Sequence, residues 1–113
     1  MCEFKVFLRD DNGLRMIAED IVFVKLHGSK LILQDVICQE VQLKSAIVSE
    51  VNVPKERLEL FSNSLIGKVL NFVEKYAECI RTNTYNEELE EIWEEIKAEG
   101  SEMIRTLWMK LKG

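Results

Sequence analysis

Glycine and proline are scarce in this chain of 113 residues, with five Gly and one Pro. So few breakers leave little room for a flexible linker. Gly13, Gly28, Gly67, Gly100 and Gly113 also lie far apart, so no glycine-rich loop is available to cradle a phosphate. Histidine occurs once, at His27. A single histidine largely excludes catalytic triads, histidine-rich zinc sites and di-metal sites of the Glu-x-x-His type. There is no Cys-x-x-Cys pair and no nucleophile elbow, so no enzymatic constellation is recognisable and the sequence predicts a non-enzyme. Long apolar runs are missing too. The longest, Ile21 to Val24, is far short of the about 20 residues a membrane helix needs.

Basic excess is absent as well. The net charge is −5, and both halves are acidic: residues 1–61 hold 8 basic and 10 acidic groups, residues 62–113 hold 7 and 10. Binding to a phosphate backbone needs the opposite balance, which argues against nucleic acid as a partner. The opening Met1-Cys2-Glu3-Phe4-Lys5 has neither the basic region nor the apolar stretch of a secretory signal. Three widely spaced cysteines, Cys2, Cys38 and Cys79, do not make a disulfide framework. Together these features predict a reducing, cytoplasmic setting.

What is present is an ordinary globular composition, 47% hydrophobic and 31% charged, in two halves of different period. Residues 1–61 alternate as strands do. Cys2, Phe4, Val6 and Leu8 share one face of a first strand, with Phe7 on the other. Asp10-Asp11-Asn12-Gly13 is a hairpin turn. Leu14–Ala18 and Ile21–Leu26 read as a second and third strand, and Leu31–Val36 as a fourth after the turn at His27-Gly28. A fifth lies within Glu40–Val53, with a bend or bulge near Ser45-Ala46. Arg57–Phe61 is the sixth. Six short antiparallel strands in so few residues predict a small, closed or nearly closed barrel. So small a unit buries little surface alone, so a partner surface is expected.

From residue 62 the apolar spacing changes to three and four. Leu65, Ile66, Val69, Leu70, Val73, Tyr76, Ala77 and Ile80 form the stripe of a first helix, ended at Asn83-Thr84. Thr84 followed by Glu87 is a capping-box pattern and predicts the start of a second helix. Its stripe runs from Leu89, Ile92, Trp93 and Ile96 to Met103, Ile104, Leu107, Trp108 and Leu111, with a kink or split expected at Gly100-Ser101. The fold class is therefore α+β, a small antiparallel β-barrel (1–61) followed by a C-terminal helical hairpin (62–113).

Few residues could carry chemistry. His27 sits in a turn and reads as an exposed loop residue. The acids Glu87 to Glu102 read first as a solvated helix face, with docking of a basic partner as the alternative. Trp93 and Trp108 fit core or dimer packing better than a cofactor site, and Cys38 and Cys79 read as buried small apolar residues. Cys2 is different. Its thiolate, with its own amine or a nearby backbone nitrogen, offers a planar N,S donor pair of the kind that suits Ni(II) or Cu(II). One pair fills half of a square, and a two-fold dimer would supply the rest.

The same residues carry a resemblance. Met1-Cys2-Glu3-Phe4-Lys5-Val6-Phe7-Leu8, then Met16-Ile17-Ala18-Glu19-Asp20-Ile21-Val22, Leu31-Ile32-Leu33-Gln34-Asp35-Val36, Ala46–Val53 and Arg57-Leu58-Glu59-Leu60 resemble the CooT family of small nickel-binding proteins, over residues 1–61. Cys38 departs from the pattern, standing where relatives have a glycine-containing turn. Pro54-Lys55-Glu56 also departs, standing where relatives often carry a histidine. Residues 62–113 have no counterpart in the short members. The resemblance implies a dimeric β-barrel that binds nickel at its interface through Cys2 and serves carbon monoxide dehydrogenase maturation. The chain is thus expected to be a cytoplasmic homodimer and Ni(II) carrier or sensor, with a protein client. The competing reading is an interaction module whose barrel dimerises and whose hairpin docks a partner without metal.

Overall fold

A computed structural model describes residues 3–113. Six strands precede two helices: β1 (Phe4–Asp10), β2 (Gly13–His27), β3 (Lys30–Asp35), β4 (Glu40–Lys44), β5 (Ala46–Asn52), β6 (Arg57–Ser62), α1 (Ser64–Thr82) and α2 (Glu88–Leu111). The strands form one sheet in the order β4-β3-β2-β1-β6-β5. Consecutive in the chain, β4 and β5 are nevertheless the two edges of that sheet. A single residue, Ser45, joins them, so the sheet must curl until its edges meet at one corner. Ser45 sits in the left-handed region at φ 61°. Its N–H donates to the Ser29 carbonyl at 3.4 Å and its carbonyl accepts from Asn63 N–H at 3.1 Å, which pins the corner. The outcome is a curled half-barrel with a helical hairpin attached, the α+β class that the periodicity predicts.

Three details depart from the sequence reading. The pairs are not all antiparallel, because β1 and β6 run parallel, from Lys5 opposite Arg57 to Arg9 opposite Phe61. The second and third strands are one long strand, β2. Asp20, at φ 57°, absorbs the break in alternation, and the register of β2 shifts there against both neighbours. The first half of β2 pairs with β1 and the second with β3, with Ile21 at the crossing opposite Phe4 and Asp35. Conversely, the expected fifth strand is two, β4 and β5, divided by Ser45.

The core lies inside the curl. Val6, Leu8, Ile21, Leu31, Leu33, Ala46, Leu58 and Leu60 are buried and form one cluster, with Phe4, Ile17, Ala18, Val24 and Leu43 packed at its edge. Truncating one of these, Leu33→Ala for example, is expected to cost about 2–5 kcal/mol.

Asn63 starts α1, its side-chain oxygen accepting from Leu65 N–H at 2.9 Å. The helix ends at Asn83, left-handed at φ 53°, whose N–H donates to the Cys79 carbonyl. Thr84 does not start α2. Its N–H also closes on the Cys79 carbonyl at 3.2 Å, and its hydroxyl donates to the Thr82 carbonyl at 3.1 Å, so it is consumed in ending α1. Asn86 does the capping instead, accepting from Glu88 N–H at 2.9 Å. From there α2 runs unbroken through Gly100 and Ser101 to Leu111. The helices pack antiparallel through Ile92, with Phe72 and Trp93 rings 5.4 Å apart. Lys75–Glu88 at 3.1 Å and Lys68–Glu99 at 3.3 Å tie their flanks. On the side toward the sheet, Gly67 of α1 approaches Ser45 so closely that an added Cβ would collide with the Ser45 hydroxyl.

Candidate functional site

Cys2, the predicted metal ligand, lies outside the described residues. What the structure gives is the frame to which it is attached. Glu3, its neighbour, enters the sheet beside the turn between β5 and β6. The Glu3 N–H donates to Glu56 Oε2 at 3.1 Å, and the Lys5 N–H donates to the Glu56 carbonyl at 2.9 Å. Glu56 itself is held at φ 50°. Its own N–H donates to the Val53 carbonyl at 3.0 Å, while Asn52 Oδ1 accepts from Lys55 N–H at 3.0 Å. The turn is thus braced from within, and it fixes the start of β1 with two bonds. The sequence marks Pro54-Lys55-Glu56 as the turn before the last strand and as a departure from a family pattern. The carboxylate that grips Glu3 is not legible there, because it follows from the parallel pairing of β1 and β6.

Around this frame the surface is mixed. Arg57 lies over the Phe7 ring, 3.9 Å from its centroid. Glu59 accepts from Arg9 at 3.0 Å and faces Arg57 at 3.6 Å. Among the described residues no three His, Cys, Asp or Glu side chains converge as a metal site would require.

The other candidates fall into place separately. His27 is exposed at the end of β2, as a turn-flanking residue should be. Neither of the other cysteines is a buried core residue. Cys38 is exposed and Cys79 half-buried, because Cys38 occupies the left-handed position (φ 66°) of the turn between β3 and β4, and Cys79 lies on α1, which has no buried residue. In that turn Asp35 Oδ1 accepts from Ile37 N–H at 3.0 Å and Gln39 N–H at 2.9 Å. The glutamates of α2 are mostly solvated, but Glu88 and Glu99 serve the α1–α2 seam and Glu90 accepts from the Tyr85 hydroxyl. That hydrogen bond, which only the neutral phenol can make, raises the Tyr85 pKa above the ordinary tyrosine range. Trp93 meets the Phe72 ring in a tilted contact within the hairpin, and both Trp93 and Trp108 are about half exposed. Among the described residues no helix is long and apolar enough to cross a membrane.

Comparison with known proteins fits the half-barrel. No curated protein matches the chain. Among solved structures, the crystal structure of the protein assigned as CooT in Carboxydothermus hydrogenoformans superposes with a TM-score of 0.50 at 16% identity. It takes in 55% of this chain and 98% of that one. At that identity the likeness speaks for the fold. The family model described as CO dehydrogenase accessory protein CooT matches residues 1–60, the span from the Met-Cys start to the last buried leucine of β6, and leaves both helices outside it. With more than half of its length under that model, and its strands curled as in the solved neighbour, the chain belongs to the CooT family of carbon monoxide dehydrogenase accessory proteins.

Proposed function

We propose that this protein is a nickel carrier or sensor in the maturation of a carbon monoxide dehydrogenase, holding Ni(II) through Cys2 across a homodimer in the cytoplasm. The observation that supports the reading is the family match over residues 1–60, which includes Cys2. The frame of β1 is compatible with it. Glu3 N–H donates to the Glu56 carboxylate and Lys5 N–H to the Glu56 carbonyl, so the residues that follow the proposed ligand are held in place. Thiolate with backbone nitrogen is a donor pair that suits the planar preference of Ni(II), and a two-fold axis would complete the square with the same pair from a second chain. The protein breaks no bonds in this role. Nickel is its cargo, and a client protein receives it.

Because the thiol must lose its proton to bind, affinity should fall in acid. The test is a Ni(II) titration of reduced, tag-free protein followed by absorption, with the mass measured under native conditions. The expected result is a single nickel per dimer and a thiolate charge-transfer band. Cys2→Ala should abolish both, while Cys38→Ala and Cys79→Ala keep them. Equal loss in all three variants would overturn the assignment.

A further inference from the structure

Beyond the nickel reading, and independently of it, we infer that the helical hairpin is a self-association device: the projecting end of α2 enters an apolar groove on a second copy of this chain, and receives that copy's end in return.

The projection follows from the hairpin's own contacts. Glu99 meets both Ser64 and Lys68, each at 3.3 Å, so it stands level with the first turns of α1. The twelve residues from Gly100 to Leu111 run past α1, extending about 18 Å at 1.5 Å per residue. Every residue from Ser101 onward is exposed. Yet this end continues the apolar stripe that packs on α1 higher up. Ile104 is 72% exposed, Leu107 57%, Trp108 55% and Leu111 69%. A helix end of this composition has no physical reason to stand in water.

The groove lies at the base of that projection. Ile47 and Phe61 on the outside of the sheet, Ile66, Val69 and Leu70 on α1, and Met103 on α2 line a cleft of about 520 Å³. On α1 the apolar surface continues through Val73, Tyr76 and Ile80, all exposed and spaced at three and four. The charged residues of α1 fall at other helical positions, so this face carries none.

Surface area and charge indicate a second copy as the occupant. A folded monomer of 13.2 kDa should expose about 6,400 Å², whereas this chain exposes 8154 Å². Its radius of gyration is 16.9 Å, against about 13 Å for a compact domain of this length. The excess, on the order of 1,700 Å², exceeds the roughly 800 Å² per partner of a standard interface. The chain carries both halves of the contact, a projecting apolar end and an apolar groove beside it. A two-fold axis uses both twice and closes the assembly. The charges agree with that arrangement. Residues 103–113 hold Arg105, Lys110 and Lys112 and no acid, while residues 87–102 hold eight glutamates and one lysine. Antiparallel crossing of two α2 helices near Met103 brings the basic end of each copy onto the acidic stretch of the other.

The test is the native mass of full-length, nickel-free protein, comparing wild type with Leu107→Glu on the projecting end, Val69→Glu in the groove, and Cys2→Ala. Leu107 and Val69 are exposed and outside the buried core, and circular dichroism checks that helicity is kept. The mass should halve in both glutamate variants and stay unchanged in Cys2→Ala. It should also fall at high salt. As a second readout, Trp93→Phe leaves Trp108 as the sole reporter, and its emission should shift to the red on dilution. A wild-type monomer at micromolar concentration, or a mass unchanged in either glutamate variant, overturns the proposal. Neither result bears on nickel binding by Cys2.

Discussion

The N–H of Glu3 donates to the Glu56 carboxylate at 3.1 Å, joining the first described residue of the chain to a turn more than fifty positions away. The Glu56 carbonyl takes the next inward-facing rung, from Lys5, at 2.9 Å. One residue thus sets where β1 begins. If Cys2 holds nickel, this contact braces the residue that follows the ligand, and interactions that orient ligands are commonly worth about 10–100-fold in metal affinity. Glu56→Gly removes the carboxylate while suiting the left-handed backbone at φ 50°. It should weaken nickel binding by about tenfold or more, with an unchanged circular dichroism spectrum. Unchanged affinity would mean that the carboxylate does not orient the ligand.

Two glycines in helices should respond in opposite directions. Gly100 lies within unbroken α2, and nothing stands within 4 Å of the Cβ it lacks. Gly100→Ala should therefore stabilise by about 0.5–1 kcal/mol through helix propensity alone. The absent Cβ of Gly67 would lie 3.4 Å from Ser45 Cα and collide with the Ser45 side chain. Gly67→Ala forces α1 away from the corner that joins the sheet edges, and a cost of about 1–3 kcal/mol is expected despite the better propensity. Chemical denaturation of the two variants beside wild type separates these outcomes.

These positions also show what the sequence discloses. Alternation reveals the inward faces of β1, β3 and β6, since Val6, Leu8, Leu31, Leu33, Leu58 and Leu60 are spaced by two and all are buried. The 3.6 period reveals both helices. What stays hidden are the left-handed positions that are not glycine: Asp20, Cys38, Ser45, Glu56 and Asn83. Asp20 bends one strand that reads as two, and Ser45 divides one that reads as single. Asn83 moves the start of α2 two residues past the capping box that Thr84 advertises. The parallel pairing of β1 with β6 is a long-range fact, so the anchoring role of Glu56 is legible only once the sheet is closed. At the candidate site, Cys2 stands out by its place in the chain and by family resemblance, while its surroundings lie beyond what spacing can tell.

Asp10 gives the β1–β2 hairpin a contribution to stability that depends on pH. Its carboxylate accepts from Arg15 at 2.9 Å and from Asn12 N–H at 2.9 Å, and these bonds lower its pKa below the ordinary 3.8. A lowered native pKa means a contribution present above the unfolded value and lost as pH falls through the folded one. Asp10→Asn should therefore lower the thermal midpoint slightly at neutral pH. The difference from wild type should close as the pH drops below 3.8. Because the pair is exposed, added salt should shrink the effect as well. A difference that persists in acid would assign it to the turn's hydrogen bonds and not to the charge.

Cys38 gives the clearest case of a residue working against its backbone. At φ 66° it holds a conformation that glycine adopts freely and a side chain only at a cost. The turn survives because the surrounding bonds fix it. Cys38 N–H donates to the Asp35 carbonyl at 3.0 Å, Asp35 N–H donates to the Gln39 carbonyl at 3.0 Å, and the Asp35 side chain accepts two more. Cys38→Gly relieves about 1–2 kcal/mol of left-handed strain and loses about 0.5–1 kcal/mol to the greater freedom of the unfolded chain. A net gain of about 0.5–1 kcal/mol should remain, seen as a higher urea midpoint at constant slope. Cys38→Ala removes the same exposed thiol but keeps the Cβ, so it should leave the midpoint where it is. If alanine stabilised as much as glycine, the benefit would come from losing the thiol, and the strain would have to be small.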